Sequence, residues 1–286
     1  MTYTNFFKRA AQSLFVIACM GVCQVRAATV TFSLNNPVGL ALDAKGNLYV
    51  ANYGGNQVLV YNPSYVQENS VSKGVSAPLG VAFDSLGNLY VSNRNAGTVT
   101  VYNSALAQNI NATISGLSFP TGLAVDGLDD VWVVNGFGGQ AVYMYSPAGT
   151  LLGTSTPGVG ISSIAIKGRW YLLGSAPNFI QYPAGEVLTN TGVAGSFSYS
   201  SPGDLTVDAM AFDASGNYYV FNQDSGGTLL YVNPYTNSTT VVLSGFALGI
   251  GGIAVDSTRG RIYLSDSGNN MIYVYSTKGK LLKTIK

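Results

Sequence analysis

Short apolar stretches alternate with polar turns along most of the chain, and the whole pattern recurs six times. Each unit starts with an apolar stretch such as 40–42. In the first unit a turn opened by Asp43 and closed by Gly46-Asn47 follows, then a second apolar strand, a polar loop and a third strand containing Tyr. The first and last unit starts are 213 residues apart over five steps, or about 43 residues a unit. The aligned starts are Gly39, Gly80, Gly122, Ser163, Ala209 and Gly252.

The turn and strand chemistry of one unit predicts a small antiparallel sheet. Asp accepts backbone N–H bonds at the head of a turn, while Gly and Asn tolerate positive φ. In the first unit, residues 48–51 and 58–61 read as strands, and in the second unit a looser stretch at 111–114 reads as a fourth. Four short antiparallel strands repeated six times are typical of a propeller. We therefore predict an all-β fold, a six-bladed β-propeller of four-stranded antiparallel blades.

Large aromatic residues recur at matched strand positions, and rings there would fill the wedge between neighbouring sheets. The second strands carry Tyr49, Tyr90, Trp132, Tyr171, Tyr219 and Tyr263, and the third strands carry Tyr61, Tyr102, Tyr145, Tyr182, Tyr231 and Tyr275. We expect these rings to be structural rather than ligand-binding.

Two features break the regular pattern. Both 29–34 and 280–285 read as a fourth strand for the last unit, and we expect the N-terminal one to close the ring, with the C-terminal tail outside it or competing. The fourth unit lacks the turn Asp, and the Gly-containing segment 189–208 after it is longer than its counterparts. We expect a mobile excursion there.

The N-terminus reads as an export signal, which divides the chain into a leader (1–27) and a propeller (28–286). Lys8 and Arg9 precede an apolar stretch too short to span a bilayer. A small-residue pattern ending at Ala27 predicts cleavage there and a secreted or periplasmic protein. A lipobox-like alternative would place a lipid on Cys19. Because both cysteines lie in the leader, the mature chain would have no disulfide.

Charge and composition exclude several classes of partner. The full chain has a net charge of +1 and only 9% charged residues, so it lacks the basic surface of a nucleic-acid-binding protein. No further segment reads as a transmembrane helix. We expect a monomer that binds a protein, a peptide or a glycan.

The repeat resembles that of the NHL-repeat superfamily of six-bladed propellers. The motif G-[LVI]-A-[LFV]-D-x-x-G-N-[LY]-Y-V-[AS]-N is clearest at 39–52 and 80–93. The resemblance covers roughly 29–286 and implies the fold more strongly than any function. Virginiamycin B lyase-like and gluconolactonase-like propellers share it, so the alternative to a binding module is a divergent metal-dependent lyase or lactonase.

The site residues implied by those enzymes are missing. The chain has no His, which excludes a His base or a His-ligated metal. Its only glutamates, Glu68 and Glu186, lie outside the predicted channel-facing strands. Five aspartates share one turn position, where capping is favoured over metal binding: Asp43, Asp84, Asp126, Asp213 and Asp256. We predict no catalytic residue and no cofactor, and a channel-bound Ca²⁺ or other divalent ion is not indicated.

The loops after each second strand carry the candidate ligand site. An amide recurs there and would either cap its own loop or line the channel mouth, whereas the neighbouring residues vary as a specific site requires. Aromatic and amide groups with few charges suit a neutral polar ligand or a peptide. The predicted ligand-binding residues are Asn52, Tyr53, Asn93, Arg94, Asn135, Phe137, Ser175, Asn222, Asp224 and Asp266.

Overall fold

The described residues of the computed structural model form six four-stranded antiparallel sheets, each built from consecutive strands. The structure describes residues 32–136, 141–156, 161–168, 170–175, 178–183, 197–199, 207–222, 227–236, 238–246 and 249–286. The first three sheets contain β1 (Pro37–Leu42), β2 (Leu48–Asn52), β3 (Gln57–Tyr61) and β4 (Gln67–Val71); β5 (Pro78–Phe83), β6 (Leu89–Asn93), β7 (Thr98–Tyr102) and β8 (Gln108–Ile114); and β9 (Pro120–Val125), β10 (Val131–Asn135), β11 (Ala141–Tyr145) and β12 (Leu151–Ser155).

The remaining sheets follow the same order along the chain. They contain β13 (Ile161–Lys167), β14 (Trp170–Ser175), β15 (Asn178–Pro183) and β16 (Phe197–Tyr199); β17 (Val207–Phe212), β18 (Tyr218–Asn222), β19 (Thr228–Asn233) and β20 (Ser238–Leu243); and β21 (Ile250–Asp256), β22 (Arg261–Asp266), β23 (Met271–Ser276) and β24 (Leu281–Ile285). Of the predicted excursion at 189–208, residues 197–199 form β16 and 207–208 begin β17; its other residues lie outside the described part of the chain.

The first strands of the sheets surround a common axis. Each contacts the first strand of the next sheet, and β21 contacts β1, so the sheets close into a ring. The prediction of an all-β propeller built from four-stranded antiparallel blades is confirmed. No helix in the described ranges is long and apolar enough to cross a membrane.

The ring does not close as predicted. The prediction that 29–34 joins the last sheet is wrong. Its fourth strand is β24, which pairs with β23, and residues 32–34 are not in a strand; residues 29–31 lie outside the described ranges. A tight turn, in which the Ser276 N–H donates to the Lys280 carbonyl at 2.8 Å, joins β23 to β24. Local pairing through a short turn costs less chain entropy than pairing with a strand at the far end of the sequence.

Side chains, rather than a shared sheet, therefore join the last blade to the first. The Ser265 hydroxyl donates to the Val38 carbonyl at 2.5 Å, and the Asn36 N–H donates to Asn270 Oδ1 at 2.6 Å. The Arg261 guanidinium donates to the Pro63 carbonyl at 2.8 Å. These bonds and the apolar contacts between the two sheets replace the covalent continuity that a strand exchanged between the termini would provide.

The core consists of apolar layers between adjacent sheets, as the aromatic pattern predicts. Tyr49 and Val58 of the first sheet pack with Leu89 and Tyr102 of the second. The predicted wedge-filling role is confirmed for the rings that are buried: Tyr49, Tyr90, Trp132, Tyr219, Tyr263, Tyr61, Tyr102 and Tyr145. Tyr231 and Tyr275 are half-buried in the same kind of layer, and the side chains of Tyr171 and Tyr182 lie outside the described set.

The repeated turn aspartates cap their own turns, as predicted. Asp84 Oδ1 accepts the N–H of Leu86 at 3.0 Å and that of Asn88 at 2.7 Å, and its other oxygen accepts the Asn88 amide and the Tyr90 hydroxyl. Equivalent bonds surround Asp43, Asp126 and Asp213, and Asp256 accepts the Arg259 N–H. These carboxylates hold the turns at the end of the ring opposite the loops that follow the second strands.

Candidate functional site

A central channel with a cavity of about 440 Å³ runs between the first strands. Its deeper part is a ring of apolar side chains, one from each first strand, all of them buried: Leu40, Val81, Leu123, Ile164, Met210 and Ile253. Nearer the mouth lie Gly39, Gly80, Gly122 and Gly252, with Ser163 and Ala209 at the matching positions of the other two strands. The lining of the channel is therefore mostly apolar, and its side chains are smallest at the layer of glycines.

Those glycines allow the first strands to approach each other closely. A Cβ on Gly80 would lie 2.7 Å from the Leu123 Cβ and 2.8 Å from the Thr121 carbonyl oxygen of the next blade. A Cβ on Gly39 would collide with the Leu79 carbonyl oxygen in the same way. At Gly39 and Gly80 the glycine that opens the sequence motif is thus required by packing against the next blade.

Each first strand is irregular at one matched position just inside the mouth. In β1 the pairing register shifts between Pro37 and Leu40, and in β9 the corresponding shift follows Pro120. The same irregularity recurs in the other first strands. Bulges of this kind redirect side chains and are common beside functional sites. Here they leave Val38, Leu79 and Thr121 among the residues that line the channel.

Arg94 lies at the channel mouth and is held there by two aromatic residues. Its guanidinium donates to the Tyr53 hydroxyl oxygen at 3.2 Å and lies 5.4 Å from the centre of the Phe119 ring. Arg94 and Phe119 also line the cavity. The three residues come from the first, second and third blades, so the cluster exists only in the assembled ring. We call Tyr53, Arg94 and Phe119 the mouth cluster.

Phe119 occupies a backbone conformation that disfavours aromatic residues. Its φ is +53°, and its side chain is 46% exposed. The matched positions in the first two blades, Asn36 and Ala77, have φ values of +51° and +50°, so the repeat itself imposes the left-handed geometry. Asn tolerates this region well and bulky residues do not. An exposed ring in a strained position, stacked under a cation, indicates a binding surface rather than a core residue.

Two hydroxyl groups of the channel wall have no hydrogen-bonding partner among the described residues. They are Thr121 Oγ1 and Ser163 Oγ, both buried and both on residues that line the cavity. A buried hydroxyl left without a partner costs about 1–3 kcal/mol. Because both residues line the cavity, their hydroxyls are candidates for hydrogen bonds to a ligand in the channel.

Three predicted site amides are buried and bonded within the protein. Asn52 Oδ1 accepts the Asn35 N–H at 2.6 Å, and its amide donates to the Ser33 carbonyl. Asn93 Oδ1 accepts the backbone N–H of Ser76 at 2.9 Å, and Asn135 Oδ1 that of Ser118 at 2.8 Å. In each blade the partner lies 17 residues earlier, so the repeated amide ties the loop after the second strand to the segment that enters the first strand.

The other members of the predicted set are placed as follows. Asp266 is buried and accepts the Asn269 N–H at 2.9 Å, and burial together with Asp266 raises the pKa of the nearby Tyr273. Asn222 is also buried and has partners. Ser175 ends β14, although its side chain is outside the described set, and Phe137 and Asp224 lie outside the described residues. Tyr53 and Arg94 are the predicted residues that the structure brings together.

Sequence reasoning missed Phe119, Thr121 and Ser163. All three lie before or within a first strand, where the repeat alignment starts, whereas the predicted site residues were all taken from the loops after the second strands. A signal was available: Phe119 stands where the first two blades have Asn36 and Ala77. A large exposed residue at a position that is otherwise small or polar marks a departure from the structural repeat.

Acidic residues do not assemble a metal site in the part of the chain that the structure describes. No group of three or more Cys, Asp or Glu side chains is close enough there to hold an ion. The turn aspartates are spread around the ring, and the ion pair between Asp256 and Arg259, at 3.0 Å, is the one salt bridge of the described residues.

Comparison with known proteins agrees with the fold. Residues 34–61 match the family model of the NHL repeat. The matched stretch covers β1, β2 and β3, the part of the chain where the sequence motif is clearest. A comparison with curated protein sequences found no match.

Several solved structures share the propeller fold at low sequence identity. A streptogramin B lyase structure is 12% identical, with a TM-score of 0.64, covering 90% of this chain and 85% of the other. A catalytically inactive histidine-to-alanine variant of virginiamycin B lyase from Staphylococcus aureus, with quinupristin, is 11% identical, with a TM-score of 0.64 and coverages of 88% and 85%. Hydrazine synthase from Kuenenia stuttgartiensis is 13% identical, with a TM-score of 0.62 and coverages of 88% and 80%. Likeness at this level concerns the fold.

Proposed function

We propose that the protein is an exported, monomeric, six-bladed NHL-repeat propeller that binds a peptide, protein or glycan partner at the mouth of its central channel. The observation that carries this proposal is the mouth cluster, in which Arg94 is bonded to Tyr53 and stacked on Phe119 above the cavity. The repeated Asn side chains hold the loops that follow the second strands in place, and the varying residues beside these Asn residues form the binding surface.

The chemistry of the mouth cluster suits an organic partner with polar and apolar parts. Aromatic rings bury a large area with little loss of conformational freedom, and Arg and Tyr are enriched among the residues that dominate binding energy. The cavity of about 440 Å³ is in the range of pockets that hold small ligands or a few residues of a chain. Because the cluster draws on three blades, its geometry is fixed by the fold.

A variant that removes the ring without disturbing the backbone tests this site. Phe119→Asn places at this position the residue type that the first blade has in the same conformation at Asn36. We expect binding of hits from a peptide and glycan array to weaken by about tenfold or more, because aromatic anchors typically contribute more than 1 kcal/mol. Tyr235→Asn, which removes another exposed aromatic residue, is the matched control. Equal binding by wild type and Phe119→Asn would contradict the proposal.

Export is proposed from the leader that the sequence indicates. We expect the protein recovered outside the cytoplasm to begin at Ala28, because the small-residue pattern ends at Ala27. N-terminal sequencing of protein from the periplasm or the medium measures this directly. A mature chain that begins with a lipid-modified Cys19 would show that the leader is cleaved before Cys19 and not after Ala27. An intact leader on the purified protein would contradict export.

The fold likeness to streptogramin B lyase keeps a divergent lyase as the alternative function. The two propellers differ in chemistry, because one solved lyase is inactive as a histidine-to-alanine variant and this chain has no histidine. Metal analysis of protein purified without chelator discriminates the two proposals. A stoichiometric divalent ion that raises the melting temperature would favour the lyase, and its absence would favour the binding module.

A further inference from the structure

We propose that the ligand of the channel mouth carries a carboxylate that Arg94 binds, next to an apolar group that enters the channel. This inference rests on the proposed binding function and adds the chemical class of the ligand. Three observations support it: the charge of the cavity lining, the orientation of the Arg94 guanidinium, and the hydroxyls of Thr121 and Ser163 inside the mouth.

Arg94 is the one charged residue among the described residues that line the cavity. It forms no salt bridge within the described part of the chain, where the ion pair joins Asp256 and Arg259 instead. A guanidinium stays protonated at any physiological pH, so a positive charge is permanently present at the mouth. An anionic group on the ligand is the natural partner for a cation whose other contacts, Tyr53 and Phe119, are neutral.

The contacts of Arg94 orient its planar group rather than neutralise it. The Tyr53 hydroxyl oxygen accepts one N–H at 3.2 Å, and the Phe119 ring lies beneath the guanidinium carbon at 5.4 Å. A guanidinium has five N–H donors, so several remain for a ligand. Two parallel N–H bonds match the two oxygens of a carboxylate, and a planar group held in place loses little freedom when they form.

The channel below Arg94 fits the rest of such a ligand. Thr121 and Ser163 present unpartnered hydroxyls, and the apolar ring that begins at Leu40 lies deeper. Thr121 lies two residues after Phe119, at the start of β9, and lines the cavity. The order from the mouth inward is therefore a cation, then hydrogen-bonding groups, then an apolar surface. The absence of a second cation in the described lining favours a monoanion over a phosphate.

Two sources share this chemistry. One is the C-terminal residue of a peptide with an apolar side chain, whose carboxylate meets Arg94 and whose amide groups meet the hydroxyls. The other is a free N-acylated apolar amino acid, which carries the same carboxylate, amide and apolar group. Both are compatible with the geometry, and their affinities for the purified protein distinguish them.

Calorimetric titration of the purified protein with three probes tests the inference. The probes are acetyl-Ala-Ala-Leu with a free carboxylate, the same peptide with a C-terminal amide, and N-acetylleucine. We expect the free acid to bind at least tenfold more tightly than the amide. Binding of N-acetylleucine equal to that of the peptide acid would identify the free acylated amino acid as the source, and weaker binding would identify the peptide.

Variants assign the preference to Arg94. Arg94→Gln should remove the difference between acid and amide, and Arg94→Lys, which keeps the charge but loses the planar fork, should retain only part of it. Lys45→Gln removes an exposed charge at the opposite end of the first blade and should leave the preference intact. Thr121→Val should weaken acid and amide alike, by several-fold, because it removes the inner hydroxyl without changing the shape.

The outcomes separate this inference from the proposed function. Equal affinity for acid and amide, or a preference that survives in Arg94→Gln, would overturn the carboxylate inference. If Phe119→Asn still abolished binding of both peptides, the site at the mouth would stand and only the ligand class would be wrong. No measurable binding of either peptide would also overturn the carboxylate inference.

Discussion

Replacing Gly80 by Ala should destabilise the ring through a single added methyl group. Gly80 has an ordinary φ, so Ala can adopt its backbone conformation. The added Cβ would lie 2.7 Å from the Leu123 Cβ, 2.8 Å from the Thr121 carbonyl oxygen and 2.9 Å from Ser92 Oγ. Separations below 3.0 Å require one blade to move relative to the next. The strain therefore falls on the interface between the second and third blades.

The magnitude follows from the cost of overpacking. Inserting a methyl group into a closely packed interface typically costs about 1–3 kcal/mol. Because two of the three contacts of Gly80 are with the neighbouring first strand, we expect a loss near the upper end, about 2–3 kcal/mol. For a domain of this size the melting temperature should fall by about 5–10 °C. Urea unfolding measured by tryptophan fluorescence gives the free energy of unfolding by linear extrapolation.

Gly127→Ala is the matched control for this experiment. A Cβ on Gly127 would have no neighbour within 4 Å, and its φ is also ordinary. Both substitutions change the unfolded chain in the same way, so the entropic gain from replacing Gly cancels in the comparison. We expect Gly127→Ala to equal or exceed the wild type in stability. If the two variants had equal free energies of unfolding, the close approach of the first strands would not be a determinant of the fold.

Three further predictions concern ring closure and pH. Arg261→Ala should lower the free energy of unfolding by about 1–2 kcal/mol in urea, because it removes a hydrogen bond to the first blade; an unchanged midpoint would refute a role in closure. Asp129→Asn should lower the melting temperature at pH 7, since bonds from Ser85 hold the Asp129 pKa below its usual value; this stability is lost as pH falls below about 4, so the two proteins should converge there. Burial raises the pKa of three tyrosines to about 12, so the stability of the fold should decrease as pH rises above about 10. The phenolate absorbance of these three residues should appear together with unfolding, and gradual titration of all tyrosines without unfolding would contradict this. These tyrosines are Tyr61, Tyr102 and Tyr219.

The strands could be predicted because each depends on local information. The Asp of the turn in each regular unit and the Tyr of the second strand recur at fixed spacing, and they cap and pack as that spacing implies. Ring closure was mispredicted because both 29–34 and 280–285 have strand-like patterns. The two segments are distinguished by the pairing of β24 with β23 in the last hairpin. The repeat pattern alone does not show which of two strand-like segments completes the last sheet.

The candidate site could be predicted only in part. Tyr53 and Arg94 were identified because they vary beside a regular amide, but the amides themselves, such as Asn52, are turned into the protein. Phe119 and Thr121 were missed because their importance comes from juxtaposition across blades. Arg94 and Phe119 are 25 residues apart in sequence, and nothing local to either one indicates the contact.

A crystal structure with a bound hit from the array would show whether the ligand lies at the channel mouth. We expect the ligand to contact the Arg94 guanidinium and the Phe119 ring and to extend toward Thr121. A ligand bound instead at the turns capped by Asp43 and its counterparts, or along an outer strand such as β24, would contradict it.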